Sequence, residues 1–251
     1  MLEIIKIRAR HGSQYVPDLK KASINPMFRG FPEISGSKPG AGFVADKLCP
    51  SEAISREPLA VDMGKCVFCG KCEGKASEGL IRFGNRHKLA ADSAEKMLIG
   101  AGITADNYEK YAVKSRKGIK DLFGRSLKLR QVSAGGCNGC ELELNACGNV
   151  NFDMGRYGIE FTASPRHSDG IVITGPITKN MSFALEETYE AMPGPKIIIL
   201  CGACAISGGI FADSEEIDRS FVKKNKADLY IPGCPPHPLN VINGILSLLG
   251  R

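Results

Sequence analysis

The chain has 251 residues, 43% of them apolar and 24% charged, with 33 Lys+Arg against 27 Asp+Glu for a net charge of +6. Those proportions are ordinary for a soluble globular protein. No apolar run is long enough to span a bilayer and residues 1–10 (MLEIIKIRAR) lack a signal peptide's pattern, so the expectation is a cytoplasmic chain whose ten cysteines ligate metal and do not form disulfides.

The charge is unevenly divided. Residues 1–130 carry 24 Lys+Arg against 14 Asp+Glu, and residues 131–251 carry 9 against 13, which predicts two regions with different neighbours. There is no Trp and little interleaving of aromatic with basic residues, so no nucleic-acid partner is expected. Residues 1–38, basic and interrupted by Pro17, Pro26 and Pro32, read as an extended arm laid over a partner; the alternative is a partly disordered leader.

Residues 39–87 contain a degenerate internal repeat. A bacterial ferredoxin half has the form C-x2-C-x2-C-x3-C-P, with its fourth Cys serving the other cluster. Cys66, Cys69 and Cys72 fit the first three positions, and the fourth falls on Ala76-Ser77. Sliding back 27 residues, so that Ile54 pairs with Ile81, puts Cys49-Pro50 at the fourth position and Pro39, Gly42 and Ala45 at the first three. All the ligands of one cluster are then missing, while Cys49, Cys66, Cys69 and Cys72, the ligands of the other, all remain. Random decay would not respect that partition. The segment resembles a two-cluster ferredoxin reduced to one 4Fe–4S site; a zinc reading leaves the Cys-Pro and the matched losses as accidents. Lys65, Lys71 and Lys75 surround these cysteines, where positive charge stabilises a reduced cluster or simply keeps a small domain soluble.

Residues 88–128 read as a basic helical linker, with helical composition over 90–101 and 105–112. The following KSRKGIKDLFGRSLKLR sets Ile119, Leu122, Phe123 and Leu127 at helix-like spacing among seven basic residues. It suits docking on an acidic partner or a membrane surface, against the plainer reading of a solvated face.

Residues 129–251 read as a compact α/β domain. Extended runs at 158–162, 170–174, 196–200 and 228–232 alternate with helical segments at 179–191 and 239–249, after a first strand at 127–132, which predicts a mostly parallel sheet covered on both faces. Ligands of such sheets bind beyond the carboxyl ends of the strands. Cys137 and Cys140 follow the first strand, Cys204 the strand ending at Leu200, and Cys234 the strand ending near Ile231. Gly135, Gly136 and Gly139 let backbone pass close to a bulky ligand, and Glu141 and Glu143 suit the positive end of a helix. Four thiolates can therefore meet around one metal centre, an iron–sulfur cluster or zinc. The third and fourth cysteines arrive singly from distant loops and form no second Cys-x-x-Cys pair, which favours iron–sulfur.

GGCNGCELE, SPRHSDGIVITGP, CGACAISGGIF and YIPGCPPHP, in that order, resemble the small subunit of membrane-associated nickel–iron hydrogenases of the energy-converting and formate-hydrogenlyase type. These share ancestry with the cluster-bearing B subunit of respiratory complex I. The resemblance covers about residues 129–249, while FRGFPEI and the ferredoxin remnant resemble the polyferredoxin subunit of the same complexes. It implies a flavodoxin-like fold whose 4Fe–4S cluster, on Cys137, Cys140, Cys204 and Cys234, lies nearest a catalytic nickel–iron large subunit. With the ferredoxin-like site that makes two 4Fe–4S clusters in a non-catalytic electron-transfer subunit. Other iron–sulfur and membrane subunits would hold it at the cytoplasmic face of the inner membrane. Complex I subunits have two adjacent cysteines where this chain has Cys137-x-x-Cys140, which places it on the hydrogenase side. The alternative is a complex-I-like module delivering electrons to a quinone.

The resemblance also puts Arg166 and His167 near the cluster and the large-subunit interface, against an internal ion pair of Arg166 with Asp169. His167 and His237 are candidates for tuning a cluster, against ordinary structural roles. Glu141 is a candidate for a proton or hydrogen-bond path, against helix-start electrostatics. Cys147 and Cys201 fall on no ligand position and are expected in the core, although Cys201 lies close enough to Cys204 to compete as a ligand.

Overall fold

Short extended segments organise the first hundred residues. The computed structural model describes residues 2–12, 15–36 and 38–251; residues 1, 13, 14 and 37 of the expected arm lie outside the described residues. Helix α1 (Leu2–His11) buries no residue. It is followed by β1 (Pro32–Ile34), α2 (Ala45–Leu48), β2 (Ile54–Arg56), β3 (Leu59–Asp62), β4 (Ile81–Phe83) and β5 (Leu98–Gly100). β1 pairs antiparallel with β4, and β2, β3 and β5 form a three-stranded antiparallel sheet. β2 and β4 begin at Ile54 and Ile81, the offset of 27 at which the sequence repeats.

Helices α3 (Ala105–Tyr111) and α4 (Lys117–Phe123) come next. Residues 90–101, expected to be helical, hold only a single 3-10 turn, Glu95–Met97, between a bridge at Ala91 and β5. Ala91 exchanges both main-chain hydrogen bonds with Tyr230, at 2.9 and 2.8 Å, and Leu98–Gly100 pairs with β3. Alanine-rich composition favours helix only weakly, and strand pairing at both ends of the segment overrides it.

The remaining elements are β6 (Leu127–Ser133), α5 (Gly139–Cys147), β7 (Ile159–Phe161), β8 (Gly170–Thr174), α6 (Lys179–Glu190), β9 (Ile197–Cys201), α7 (Ala203–Ser207), α8 (Ser220–Lys224), β10 (Leu229–Ile231) and α9 (Pro238–Leu248). The expected strands and the two expected helices all lie where the hydrophobic runs put them. β7, β6, β8, β9 and β10 pair in that order, all parallel, which is the flavodoxin-like order 2-1-3-4-5. β8 and β9 are buried along their whole length, as GIVIT and IIILC require of strands covered on both faces. On one face Leu129, Val172 and Ile199 pack against α5 and α9; on the other Ile171, Ile173 and Ile198 pack against Leu185 and Phe221. No helix among the described residues is long and apolar enough to cross a membrane.

α9 is buried on nearly all sides because residues 16–24 cover its outer surface. Leu19 is fully buried there, and Asn243 Nδ2 donates to the Leu19 carbonyl at 2.9 Å. This part of the arm thus lies on its own chain. Leu19→Ala is expected to cost about 3 kcal/mol by opening a cavity under the arm, read as a lower melting temperature and faster proteolysis between residues 15 and 24.

Candidate metal centres

The first four thiols gather around two loops. Cys49 ends α2, and Cys66, Cys69 and Cys72 lie on the loop after β3, curled by positive φ at Phe68 (52°) and Gly70 (76°). The Ala53 N–H donates to Cys49 Sγ at 3.2 Å and the Phe68 N–H to Cys66 Sγ at 3.3 Å. Such bonds stabilise thiolate over thiol. Burial pushes the Cys66 thiol up to about 12, partly offset by the Phe68 N–H, and Cys72, Cys49 and Cys69 add to the rise. Cys72 is pushed up to about 11 by burial and by Cys49 and Cys69.

Protein groups fill the positions at which the repeat lacks cysteine. The N–H of Val44, next to Ala45, donates to the Ala76 carbonyl at 2.9 Å. The Glu78 carboxylate accepts from the Gly40 and Gly42 N–H groups at 2.7 and 3.0 Å. Ala76 shares an apolar cluster with Cys49, Cys66 and Cys72.

The second four thiols sit at the carboxyl edge of the parallel sheet, as the order of elements requires. Cys140 lies in the first turn of α5 after β6, Cys204 in α7 after β9, and Cys234 after β10. Burial pushes Cys140 up to about 12, with Glu141, Cys204, Cys234 and Cys137 adding to it, and Cys204 up to about 11, raised further by Cys234 and Cys137. Glycine clears the space between them. A Cβ on Gly202 would stand 2.6 Å from Cys140 Sγ, and one on Gly209 would stand 3.1 Å from Cys204 Sγ.

Both quartets therefore fit an all-thiolate metal group: Cys49, Cys66, Cys69 and Cys72 would hold one, and Cys137, Cys140, Cys204 and Cys234 the other. Thiols that raise one another's pKa lose that cost when a cation takes the place of their protons. Among the described residues, no three His, Cys, Asp or Glu side chains converge as the ligands of a single ion do.

The quartets adjoin. A cleft of about 160 Å³ between them is lined by Phe28, Val67, Phe68 and the loop 232–237. Arg29 Nε donates to the Phe68 carbonyl at 2.8 Å, and Phe28 packs edge-on against His237 with ring centres 5.6 Å apart. Cys69 is among the charges felt by the Cys234 thiol.

The other expected site residues divide. The Glu141 carboxylate lies between the ends of β6 and β8, where Ser133 and Thr174 hydroxyls each donate to Oε1 at 2.6 Å. Burial opposes its charge, but the two hydroxyls together with its own backbone N–H outweigh burial and its pKa lies below the usual carboxylate value. His237 Nδ1 accepts from the Leu239 N–H at 3.1 Å and so caps α9. Arg166 and His167 do not join the thiols: they are exposed on the turn entering β8, at the opposite end of the sheet. Asp169 does not pair with Arg166 but accepts from the Lys128 N–H at 2.7 Å. Cys147 and Cys201 are both fully buried in the core, and Cys147 Sγ donates to the Glu143 carbonyl.

Sequence reasoning did not single out His87, which is 6% exposed, with Nε2 buried and without a hydrogen-bond partner. Burial, with His237 and Lys88 nearby, lowers its pKa from 6.5 to about 4. A lone His in RFGNRHKL carries no signal of this.

A family model described as NADH ubiquinone oxidoreductase, 20 Kd subunit, matches residues 137–248. "Probable membrane-bound hydrogenase subunit mbhJ" of Pyrococcus furiosus is 36% identical over 51% of this chain and 77% of its own length. Formate hydrogenlyase subunit 7 of Escherichia coli is 42% identical over 50% of this chain, which spans only 49% of that protein. The B subunit of the NADH-quinone oxidoreductase of Heliobacterium modesticaldum is 44% identical over 45% of this chain and 65% of its own length.

Gly202→Ala is expected to prevent metal loading at the second quartet and spare the first, halving the metal bound per chain. His87 is favoured neutral by the fold, so its contribution is present above pH 6.5 and is lost as pH falls toward about 4. Denaturant melts between pH 7 and 5 should show a smaller loss of stability in His87→Gln than in wild type.

Proposed function

The chain belongs to the NADH ubiquinone oxidoreductase 20 Kd subunit family, and from that premise we propose that it is the iron–sulfur electron-transfer subunit of a membrane-associated nickel–iron hydrogenase complex. Cys49, Cys66, Cys69 and Cys72 hold one 4Fe–4S cluster; Cys137, Cys140, Cys204 and Cys234 hold a second, proximal to a nickel–iron large subunit. Such clusters supply one-electron storage spread over iron and sulfide. The chain itself fixes the ligands, buries Cys66 and Cys72, half-buries Cys49, Cys140 and Cys204, and sets the separation of the two sites.

The observation that carries the reading is the arrival of four cysteines from three strand ends at one sheet edge, with glycine where any side chain would strike a sulfur. Support for the N-terminal cluster comes from β2 and β4 repeating at the offset of the cysteine pattern, and from the Glu78 carboxylate occupying the donors of the vacated half. In this reading residues 39–87 are a one-cluster ferredoxin-like domain, onto whose strands the arm (1–38) adds β1 and the basic linker (88–128) adds β5, and 129–251 are the family domain. Partner subunits hold the chain at the cytoplasmic face of the membrane.

The same edge offers a docking face. Leu142, Phe183, Ile210 and Phe211 are 61%, 70%, 56% and 43% exposed at the starts of α5 and α6 and just after α7. An apolar fringe around a metal site suits a large partner subunit. A second reading, electron delivery to a quinone in a complex-I-like module, is favoured by the match to the NADH-quinone oxidoreductase relative.

The full chain loaded anaerobically should contain about eight iron and eight acid-labile sulfide, and Cys49→Ser or Cys234→Ser about four of each; zinc in either quartet would overturn the reading. Hydrogen turnover by the intact complex separates the two readings, since a complex without nickel favours quinone. Phe183→Asp should weaken assembly with the large subunit by about 2 kcal/mol, roughly 30-fold in affinity, and leave the iron content unchanged.

A further inference from the structure

Arg219 lies between α7 and α8 with no acidic partner among the described residues. Nη2 donates to the carbonyls of Ala205 and Ile206 at 2.8 and 2.7 Å, and Nη1 reaches those of Pro176 and Cys204 at 3.4 Å. Three of these carbonyls belong to α7, the short helix that carries Cys204. Neutral carbonyls satisfy the N–H groups of a half-buried guanidinium but leave its charge uncompensated. The ion pairs of the described residues lie elsewhere. The adjacent Asp218 carboxylate is turned to the Ser220 N–H at 2.9 Å. Nη1 thus reaches the main chain of Cys204 itself, a residue of the second quartet.

We propose that Arg219 is the counter-charge of the metal centre held by Cys137, Cys140, Cys204 and Cys234, and sets how readily that centre accepts an electron. The inference rests on reading that quartet as an iron–sulfur site. Reduction adds one negative charge and makes or breaks no bond, so a fixed cation nearby favours the reduced form. The competing role is a plain helix cap, in which a cation bonds the last carbonyls of α7. The two roles need different things: the counter-charge needs only positive charge, the cap needs the planar fork of donors.

Redox titration of the full, loaded chain with dithionite, followed by electron paramagnetic resonance, separates them. In Arg219→Gln the second centre's potential should fall so that about tenfold less is reduced at a fixed potential, a shift of about 59 mV for one electron. The first centre should not move. Arg219→Lys should keep the wild-type potential, although both variants break the fork and melt earlier. A Gln variant that loses the second cluster where the Lys variant keeps it supports the counter-charge equally; loss in both assigns the residue to capping and overturns it. An unmoved potential in Arg219→Gln, with about eight iron retained, overturns the counter-charge alone. Absence of the second cluster from the wild type overturns both readings.

Discussion

The constraint on which this structure depends is the cost of placing thiols together away from water. Burial pushes Cys66 and Cys140 up to about 12, and in each case the other three thiols of the quartet push further. Four neighbouring sulfurs gain little from one another as neutral thiols and repel as thiolates. They are tolerated where a cation removes the repulsion. The surrounding chain is arranged accordingly, with main-chain N–H groups aimed at Cys49 and Cys66 and glycine at positions 202 and 209. Hydrophobic packing alone would have no use for these features.

The parallel sheet meets that cost by geometry. Each β-to-α turn delivers side chains to the same edge, so cysteines 137, 140, 204 and 234, far apart in sequence, become neighbours once β6, β9 and β10 lie side by side. Glu141 sits at the reversal of strand order between β6 and β8, held by a hydroxyl from each. A carboxylate there anchors the ligand helix to both central strands.

Much of this was legible in the sequence, for a definite reason. Continuous apolar runs such as IIILC and GIVIT can be buried strands on length alone, and cysteines placed after them inherit their positions. What was not legible depended on distant partners. The alanine-rich stretch from 90 has helical composition, and pairing with the main chain of Tyr230 and the edge of β3 leaves it a single 3-10 turn. Arg166 and His167 carried a family-like motif, yet they enter β8 at its amino end, a full strand length from the thiols. Leu19, His87 and Arg219 are single residues in unpatterned surroundings. Their roles exist only through long-range contacts to Asn243, His237 and the carbonyls of α7.

The pairing of Ala91 with Tyr230 reaches furthest beyond its own neighbourhood. Together with the Leu89 N–H bond to Asn240 Oδ1 at 2.9 Å, this antiparallel bridge ties the two halves at one point, where a flexible tether would leave them free. A tether samples a distribution of lengths; two reciprocal main-chain hydrogen bonds hold the chain at one length. Tunnelling falls off exponentially with gap, and its average over a wandering gap is governed by rare close approaches. In the proposed reading, a bridged joint removes that averaging and holds the gap between the two quartets at one value.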